Sequence, residues 1–461
     1  MSYTKFAFAF PRPATRRILL LLSLGAVAVI PIALFGLLVT YLPFIQQPVF
    51  DAFIREVLHR DPATWYGTQW MYGVAMLGAG VLLFTFAAVS GGIFSWYERR
   101  VAGRIQSRIG PNRVGAGGFF QWIADAVKLL FKEDLVPAEA DSVLFRAAPY
   151  FVVIGMTLTL VSLPFGQSVI VSDLDVGIFY ILAVTALIVV GILLSGWSSN
   201  SKWALFGGMR SAAQVISYEV PSGLAIMTPV LMAGTLSMQG IIGAQGGWPW
   251  EWFVFRNPAA YLAFFILFTS QLAEGNRTPF DLPEAESELV AGYMSEYSGF
   301  RFALYFLVEW ANLWIISAVA VTLFLGGWQI PTVGVQDWAA WRGSGPFPHL
   351  VWWFMQLVSV GFFAAKTLIL VTIVIWLRWT LPRIRVDQMM NLAWKYLVPA
   401  GFTAMLFTLL WQIWAARAPI IERISGIGLF VFSLYVGFRF LKQTRDNISL
   451  IVGDRVDLTN W

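Results

Sequence analysis

Of 461 residues, 58% are hydrophobic and only 12% charged, against about 25% charged in ordinary soluble domains, so the chain reads as an all-α polytopic membrane protein. Cysteine is absent, and the two histidines, His59 and His349, fall in polar connectors, which excludes disulfides, thiolate zinc sites, cysteine-ligated iron–sulfur clusters and a bis-histidine haem within the bilayer. A net charge of +5 in such a protein speaks to orientation, not to nucleic acid.

The stretch up to residue 17 carries Lys5, Arg12, Arg16 and Arg17, and the apolar run Ile18–Leu42 follows. That run is too long for a cleaved signal peptide and lacks a small-residue cleavage pattern; it predicts a retained anchor kinked at Pro31. A mixed connector over 43–69 leads to a second span, about Trp70–Tyr97, with Trp65, Tyr66, Trp70 and Tyr72 at one end and Trp96 and Tyr97 at the other, as the two bilayer interfaces favour. The longest polar connection, Glu98–Arg146, opens with ERRVAGRIQSRIGPNRVGAGG. Glu98, beside Arg99 and Arg100, reads as an interfacial residue. Arg104 and Arg108 are one helical turn apart and are expected on one face, and Gly110-Pro111-Asn112 reads as a turn. FFQWIADAVKLLFKED then predicts a short amphipathic helix with Gln121, Asp125, Lys128 and Lys132 in one polar stripe. It is too short and too charged to span, so it is expected in the interface or against other helices; the same pattern also describes an ordinary surface helix. Further spans are predicted at about 147–164, 176–197, 211–235, 258–273, 302–325, 350–377, 396–416 and 421–441, ten in all with the first two. No internal repeat is visible.

Charge sets the topology. With alternating sides, 24 of the 31 lysines and arginines fall on one side and six on the other, with Lys366 inside a span. The positive-inside rule then puts both termini, and both motif-rich loops, in the cytoplasm. The second of these loops, Glu274 to Gly299, holds six carboxylates (Glu274, Asp281, Glu284, Glu286, Glu288 and Glu296) against one arginine, Arg277. Pro279 and Pro283 break any incoming helix, Asp281 is expected as an N-cap with Glu284 three residues on, and Glu284 and Glu288 would share a helical face. Carboxylates packed this closely cannot all ionise cheaply, which suits proton handling; a solvated acidic loop favouring a helix dipole is the plain alternative.

Three ionisable groups fall in or near spans: Glu219 in SYEVPSG, Glu309 between FALYFLV and WANLW, and Lys366 in GFFAAKTLILV. Such groups cost about 2.5–3.5 kcal/mol each on insertion scales. Each could be a structural ion pair or snorkel to the interface, but an isolated intramembrane carboxylate is usually functional. The pattern contains no nucleophile, metal cluster or nucleotide loop. A row of carboxylates of this kind relays protons.

ERRVAGRIQSRIGPNRVG with FFQWIADAVKLLFKED, then SYEV, then EGNRTPFDLPEAESELVAGYMSEYSG, then LPRIRVDQMMNLAWK occur in this order. Together they resemble the quinone-site membrane subunit of respiratory complex I, the proton-pumping NADH:quinone oxidoreductase (the H subunit in bacteria, subunit 1 in mitochondria). The likeness covers roughly 70–416. It implies an eight-helix core there, with 1–69 contributing an extra N-terminal helix and connector, and 417–461 an extra C-terminal helix and cytoplasmic tail. It implies a subunit that forms much of the chamber for a long-tailed quinone and links quinone chemistry to the proton path, in a bacterial cytoplasmic membrane, and that is not catalytic alone. FMN and the iron–sulfur clusters would belong to partner subunits of the hydrophilic arm, and other partners would be adjacent membrane-arm subunits, quinone and lipid. Carried over residue by residue, Glu219, Glu274, Asp281, Glu284, Glu286, Glu288 and Glu309 would be the proton-coupling carboxylates. Arg99, Arg108 and Phe306 would lie on the quinone path, which the amphipathic helix with Trp122 and Asp125 would flank. Arg378, Arg383, Arg385 and Lys395 match a basic loop read as docking or local pairing. Ala285 stands where the family often has glycine. The alternatives are the equivalent subunit of a complex-I-like membrane-bound hydrogenase, and a stand-alone proton-coupled transporter, which would call for repeat symmetry and a midplane substrate site.

Overall fold

The computed structural model describes residues 69–167, 169–283, 286–331, 348–415, 417 and 419–451, and every regular element among them is helical. The first predicted span, Ile18–Leu42, lies outside the described residues. The principal helices are α1 (Gln69–Ile105), α2 (Gln121–Phe131), α3 (Ser142–Thr159), α4 (Gly177–Ser198), α5 (Lys202–Ala233), α6 (Pro258–Glu274), α7 (Gly299–Phe324), α8 (Pro348–Thr380), α9 (Val398–Ala415) and α10 (Pro419–Ile451). Among the described residues, seven helical stretches are long and apolar enough to cross a membrane: those of α1, α3, α4, α5, α7 and α8, and the run Val386–Ala415 that ends in α9. Helix α6, 17 residues long, reaches about 25 Å at 1.5 Å per residue.

Helix α7 sits at the centre, packed against α1, α2, α3, α6 and α8. Its second half, from Leu313 to Phe324, is buried almost without interruption. Trp314 anchors an aromatic knot there: Phe165 stacks on it at 5.4 Å, and Phe86 and Phe363 meet it edge-on at 5.6 and 6.1 Å. On one flank α3, α4 and α5 pack in sequence order and α6 and α9 close on α5. Small residues bring these helices together. A Cβ on Gly196 of α4 would lie 2.8 Å from the Ala204 carbonyl and 3.1 Å from Cα of Gly208, the close backbone approach that membrane helices use in place of a hydrophobic drive.

Two boundaries differ from expectation. Helix α1 does not stop at Tyr97 but runs on through Glu98 to Ile105, because no Pro or Gly stands between Tyr97 and Gly103. It then ends in a turn in which Arg108 N–H donates to the Gly103 carbonyl and Ser107 adopts φ +54°. Arg108 therefore lies past the helix and does not share a helical face with Arg104. In the acidic loop, Leu282 and Pro283 are not helical and the next helical turn is Glu286–Leu289, so Asp281 is not its N-cap; Asp281 Oδ1 is buried without a hydrogen-bond partner.

Candidate functional site

The first part of the acidic loop is held down by amides and backbone. Gln214 on α5 donates from Nε2 to the Ala273 carbonyl (2.7 Å), the Phe280 carbonyl (2.8 Å) and Asn276 Oδ1 (3.2 Å). Tyr218, fully buried one turn along, donates to the Met389 carbonyl at 3.0 Å and packs on Phe280. Ile384 N–H closes the other side on the Pro279 carbonyl at 3.1 Å. The loop is thereby fixed between α5 and the segment after α8.

Within that frame lies a buried charge cluster. Arg277, 2% exposed, places Nη1 3.3 Å from Glu98 Oε2 and 3.2 Å from Glu309 Oε1. Its Nη2 donates to the Glu309 carbonyl at 3.2 Å, and the guanidinium lies over the Trp310 ring at 4.8 Å. Glu98, also 2% exposed, takes a second guanidinium, Arg378 Nη1, at 2.5 Å on Oε1. The expectation of an interfacial Glu98 is thus corrected: the continued helix α1 turns its side chain into the protein. Asp281 completes the group, close enough to Arg378, Glu309, Arg383 and Arg277 to feel their charges; burial dominates and pushes its carboxyl above the ordinary aspartate range. Three carboxylates, the buried Arg277 and the half-buried Arg378 thus meet where α1, α7, the end of α8 and the loop converge.

Glu274, at the end of α6, faces Ser222 and Glu219 across the α5–α6 contact, and both carboxylates keep one buried oxygen without a hydrogen-bond partner. This carboxylate pair is separate from the cluster around Arg277. Glu288 stands apart: it is exposed and ion-paired to Arg210 at 2.8 Å, whose hydrogen bond holds its carboxyl below the ordinary glutamate range. Glu284 and the Glu286 side chain lie outside the described residues, so the Glu284–Glu288 pairing does too.

On the other side of α1, Arg99 binds Asp125 at 2.5 Å, and Gln121 donates to the same carboxylate at 3.1 Å. Arg99, Arg108, Asn112, Arg113 and Gln121 line one open cleft of about 750 Å³. Helix α2 forms as expected and packs between α1 and α7. Trp122 sits so tightly on α1 that a Cβ at Gly92 would come within 2.5 Å of its ring. Phe306 lies on α7, 37% exposed and 4.6 Å from Phe302. The arginines, Gln121 and Asp125 are thus brought together, whereas Trp122 packs against α1.

Lys366 has a different surrounding. Its ammonium donates to the carbonyls of Leu325 (2.8 Å), Gly327 (3.0 Å) and Gln329 (3.4 Å) and lies 4.3 Å from the centre of the Trp252 ring. It caps the end of α7 as a buried cation on the negative pole of a helix. Neither an ion pair nor snorkelling describes it.

Sequence reasoning missed Glu98 as a member of the site, and with it Arg277 and Arg378 as its counter-ions. The absence of any helix breaker between Tyr97 and Val101 was the signal that Glu98 continues the helix.

The family described as NADH dehydrogenase matches residues 78–409. The H subunit of NADH-quinone oxidoreductase from Anaeromyxobacter dehalogenans is 66% identical over 395 residues, which cover 86% of this chain and 95% of that protein. The H subunit from Chlorobaculum tepidum is 44% identical over 360 residues, 77% of this chain and 96% of the relative. NADH-quinone oxidoreductase subunit 8 of Rhodothermus marinus is 44% identical over 342 residues, 73% and 95% of the two chains. With the match spanning the buried charge cluster and every helix that builds it, the chain belongs to the NADH dehydrogenase family of membrane proteins, that of the H subunit of NADH-quinone oxidoreductase.

Proposed function

We propose that this chain is the quinone-chamber and proton-coupling membrane subunit of a proton-pumping NADH:quinone oxidoreductase. The observation that carries this reading is the convergence of Glu98, Asp281 and Glu309 on Arg277 and Arg378, beside an arginine-lined cleft. Moving a proton outward costs about 2.3 kcal/mol per 100 mV. That work must come from quinone reduction, so groups near the quinone must change charge or position with its redox state. The carboxylates of this cluster outnumber its arginines, so a proton gained or lost there changes the balance of attractions, and the loop that carries Asp281 and Arg277 ties them to α5 and α8. The pair Glu219–Glu274 continues the row, and Glu284, Glu286 and Glu288 extend it along the loop. In this reading Arg99, Arg108, Phe306 and the helix with Trp122 and Asp125 flank the quinone's way in from the lipid. FMN and the iron–sulfur clusters belong to partner subunits of the hydrophilic arm, with other membrane-arm subunits on the remaining flanks. Residues 70–416 make the family core; 1–69 and 417–461 add a helix at each end. The membrane is the bacterial cytoplasmic one, with both termini in the cytoplasm.

The relatives are named for NADH and quinone, which favours this donor over a hydrogenase-type partner. The test is turnover and pumping in assembled complex, with subunit content checked by gel. Glu219→Gln and Glu284→Gln should lower quinone reduction and pumping together. Phe306→Trp should raise the KM for long-tailed quinone while sparing NADH oxidation by ferricyanide. Wild-type rates in Glu219→Gln, Glu284→Gln and Glu288→Gln, singly and combined, would make the loop a solvated structural element. A cysteine at Ser142 in this cysteine-free chain should label from the cytoplasmic side alone; outside labelling would overturn the orientation.

A further inference from the structure

Arg277 is bonded unlike the other arginines of the cluster. One nitrogen, Nη1, serves two carboxylates, at 3.3 Å to Glu98 and 3.2 Å to Glu309. Both distances exceed the roughly 2.7–2.9 Å of a fully formed charge-assisted bond. A guanidinium has five N–H donors, yet its buried Nε has no partner. Glu98 has a second holder in Arg378, at 2.5 Å, while Arg277 is the one guanidinium bonded to Glu309 among the described residues. The backbone at Arg277 is fixed: its N–H donates to the Leu272 carbonyl and its carbonyl accepts from Phe280. The Trp310 face beneath the guanidinium tolerates in-plane sliding without loss of contact. The side chain is therefore the movable part, stretched between two anchors on different helices.

We propose that Arg277 is a positioning residue of the proton-coupling cluster, a single guanidinium shared by Glu98 and Glu309 that settles on Glu98 when Glu309 is neutral and returns when Glu309 is ionised. This rests on the reading of Glu309 as a proton carrier. Glu98 keeps a second guanidinium, Arg378, whichever way Arg277 lies, so it is the fixed anchor. Neutralising Glu309 removes one of the two attractions on Nη1 and leaves the other. Asp281 and Arg383, the remaining charged groups facing the cluster, bias the position without bonding to Arg277. The proton is exchanged between Glu309 and an adjacent acid or water, and no other bond changes. Since Glu98 lies on α1, Glu309 on α7 and Arg277 at the start of the acidic loop, its displacement reaches all three.

The test is redox-difference infrared spectroscopy on assembled complex, with quinone reductase turnover and NADH–ferricyanide activity measured on the same samples. Wild type should show a carboxylic-acid C=O band that Glu309→Gln removes. Arg277→Lys keeps the charge but not the fork. It should shift that band and lower quinone turnover about tenfold, the scale of one lost charge-assisted bond, with ferricyanide activity retained. An unshifted band with wild-type turnover in Arg277→Lys overturns the proposal. Wild-type band, turnover and pumping in Glu309→Gln instead defeat the carrier role of Glu309 on which it rests. If Arg277→Lys does not assemble, Glu98→Gln decides: with its other anchor neutral, Arg277 stays on Glu309 and the band must weaken; an unchanged band overturns the proposal.

Discussion

Lys366→Met separates a structural cation from a proton-path cation. In the wild type the ammonium makes two hydrogen bonds of 2.8 and 3.0 Å to the Leu325 and Gly327 carbonyls, a longer one to Gln329, and a cation–π contact with Trp252 at 4.3 Å. A bond from a charged donor contributes about 1.5–3 kcal/mol in soluble proteins, but polar contacts inside membrane proteins average nearer 0.6 kcal/mol, with a maximum of about 1.7. The Trp252 contact adds roughly 0.5–2 kcal/mol. Methionine removes all of this and also removes the cost of burying an ammonium, so the expected net loss is about 2 kcal/mol. The loss is local to the end of α7, where Gln245 also bonds the Thr322 carbonyl at 3.0 Å and the Gly326 N–H at 2.8 Å. Lys366→Met should lower the thermal midpoint and yield of the assembled complex while leaving protons pumped per electron pair unchanged. Normal stability with lost pumping would refute the capping role and move Lys366 into the proton path.

Gly92→Ala should push α2 off α1, because its Cβ would meet the Trp122 ring at 2.5 Å. Overpacking of this kind costs about 1–3 kcal/mol, and it should appear as a raised KM for long-tailed quinone with ferricyanide activity intact; an unchanged KM would separate α2 from the quinone path. Asp281, whose carboxyl burial raises, contributes stability that is fully present below its unfolded value near 3.8 and is lost as pH rises through its folded value. Asp281→Asn should therefore flatten the pH dependence of thermal stability and leave the complex at pH 8 at least as stable as wild type; a steeper profile counts against this. Glu288, lowered chiefly by the Arg210 hydrogen bond, behaves oppositely: its contribution is present above about 4.5 and lost as pH falls through the lowered value. That exposed pair is screened by salt, so Arg210→Gln should leave turnover near pH 7 within about twofold, and a larger fall would assign Arg210 a role beyond the pair.

Local chemistry was legible in the chain. The apolar runs from Trp70 onward all became helical, the amphipathic stretch around Trp122 became α2, and Glu309 and Lys366 were visible as charges where none is cheap. What the sequence hid is pairing at long range. Glu98 and Arg378 are 280 positions apart and Glu98 and Arg277 are 179 apart, so nothing in the ERR motif shows that its first residue faces two guanidiniums. Asp281 misled for the opposite reason. Asp-x-x-Glu before an apolar stretch has the form of a capping box, but Pro283 and the pinning of Phe280 and Pro279 by Gln214 and Ile384 hold the backbone out of a helix, and tertiary contacts outweigh local capping. Lys366 misled through habit of partner: a buried lysine suggests a carboxylate, yet a helix end offers carbonyls enough to satisfy it.

The two ends of α7 are built for different purposes. Its far end is saturated: Lys366, Gln245 and Gln329 together bond the carbonyls of Thr322, Leu325, Gly327 and Ile242, and the helix before them is buried nearly throughout. Its near half carries Glu309, whose guanidinium partner is shared, stretched and short of one acceptor. In a low-dielectric interior an unfinished set of charges responds strongly to one added proton, whereas a satisfied one does not. A change of charge at Glu309 must therefore be expressed at the loop-facing half of α7, where α1, α2 and the acidic loop meet it, because the other end is pinned. That confines the mechanical consequence of a protonation to the side where Arg99, Phe306 and Asp281 lie, which is the arrangement required if quinone chemistry and proton movement are to be linked through this chain.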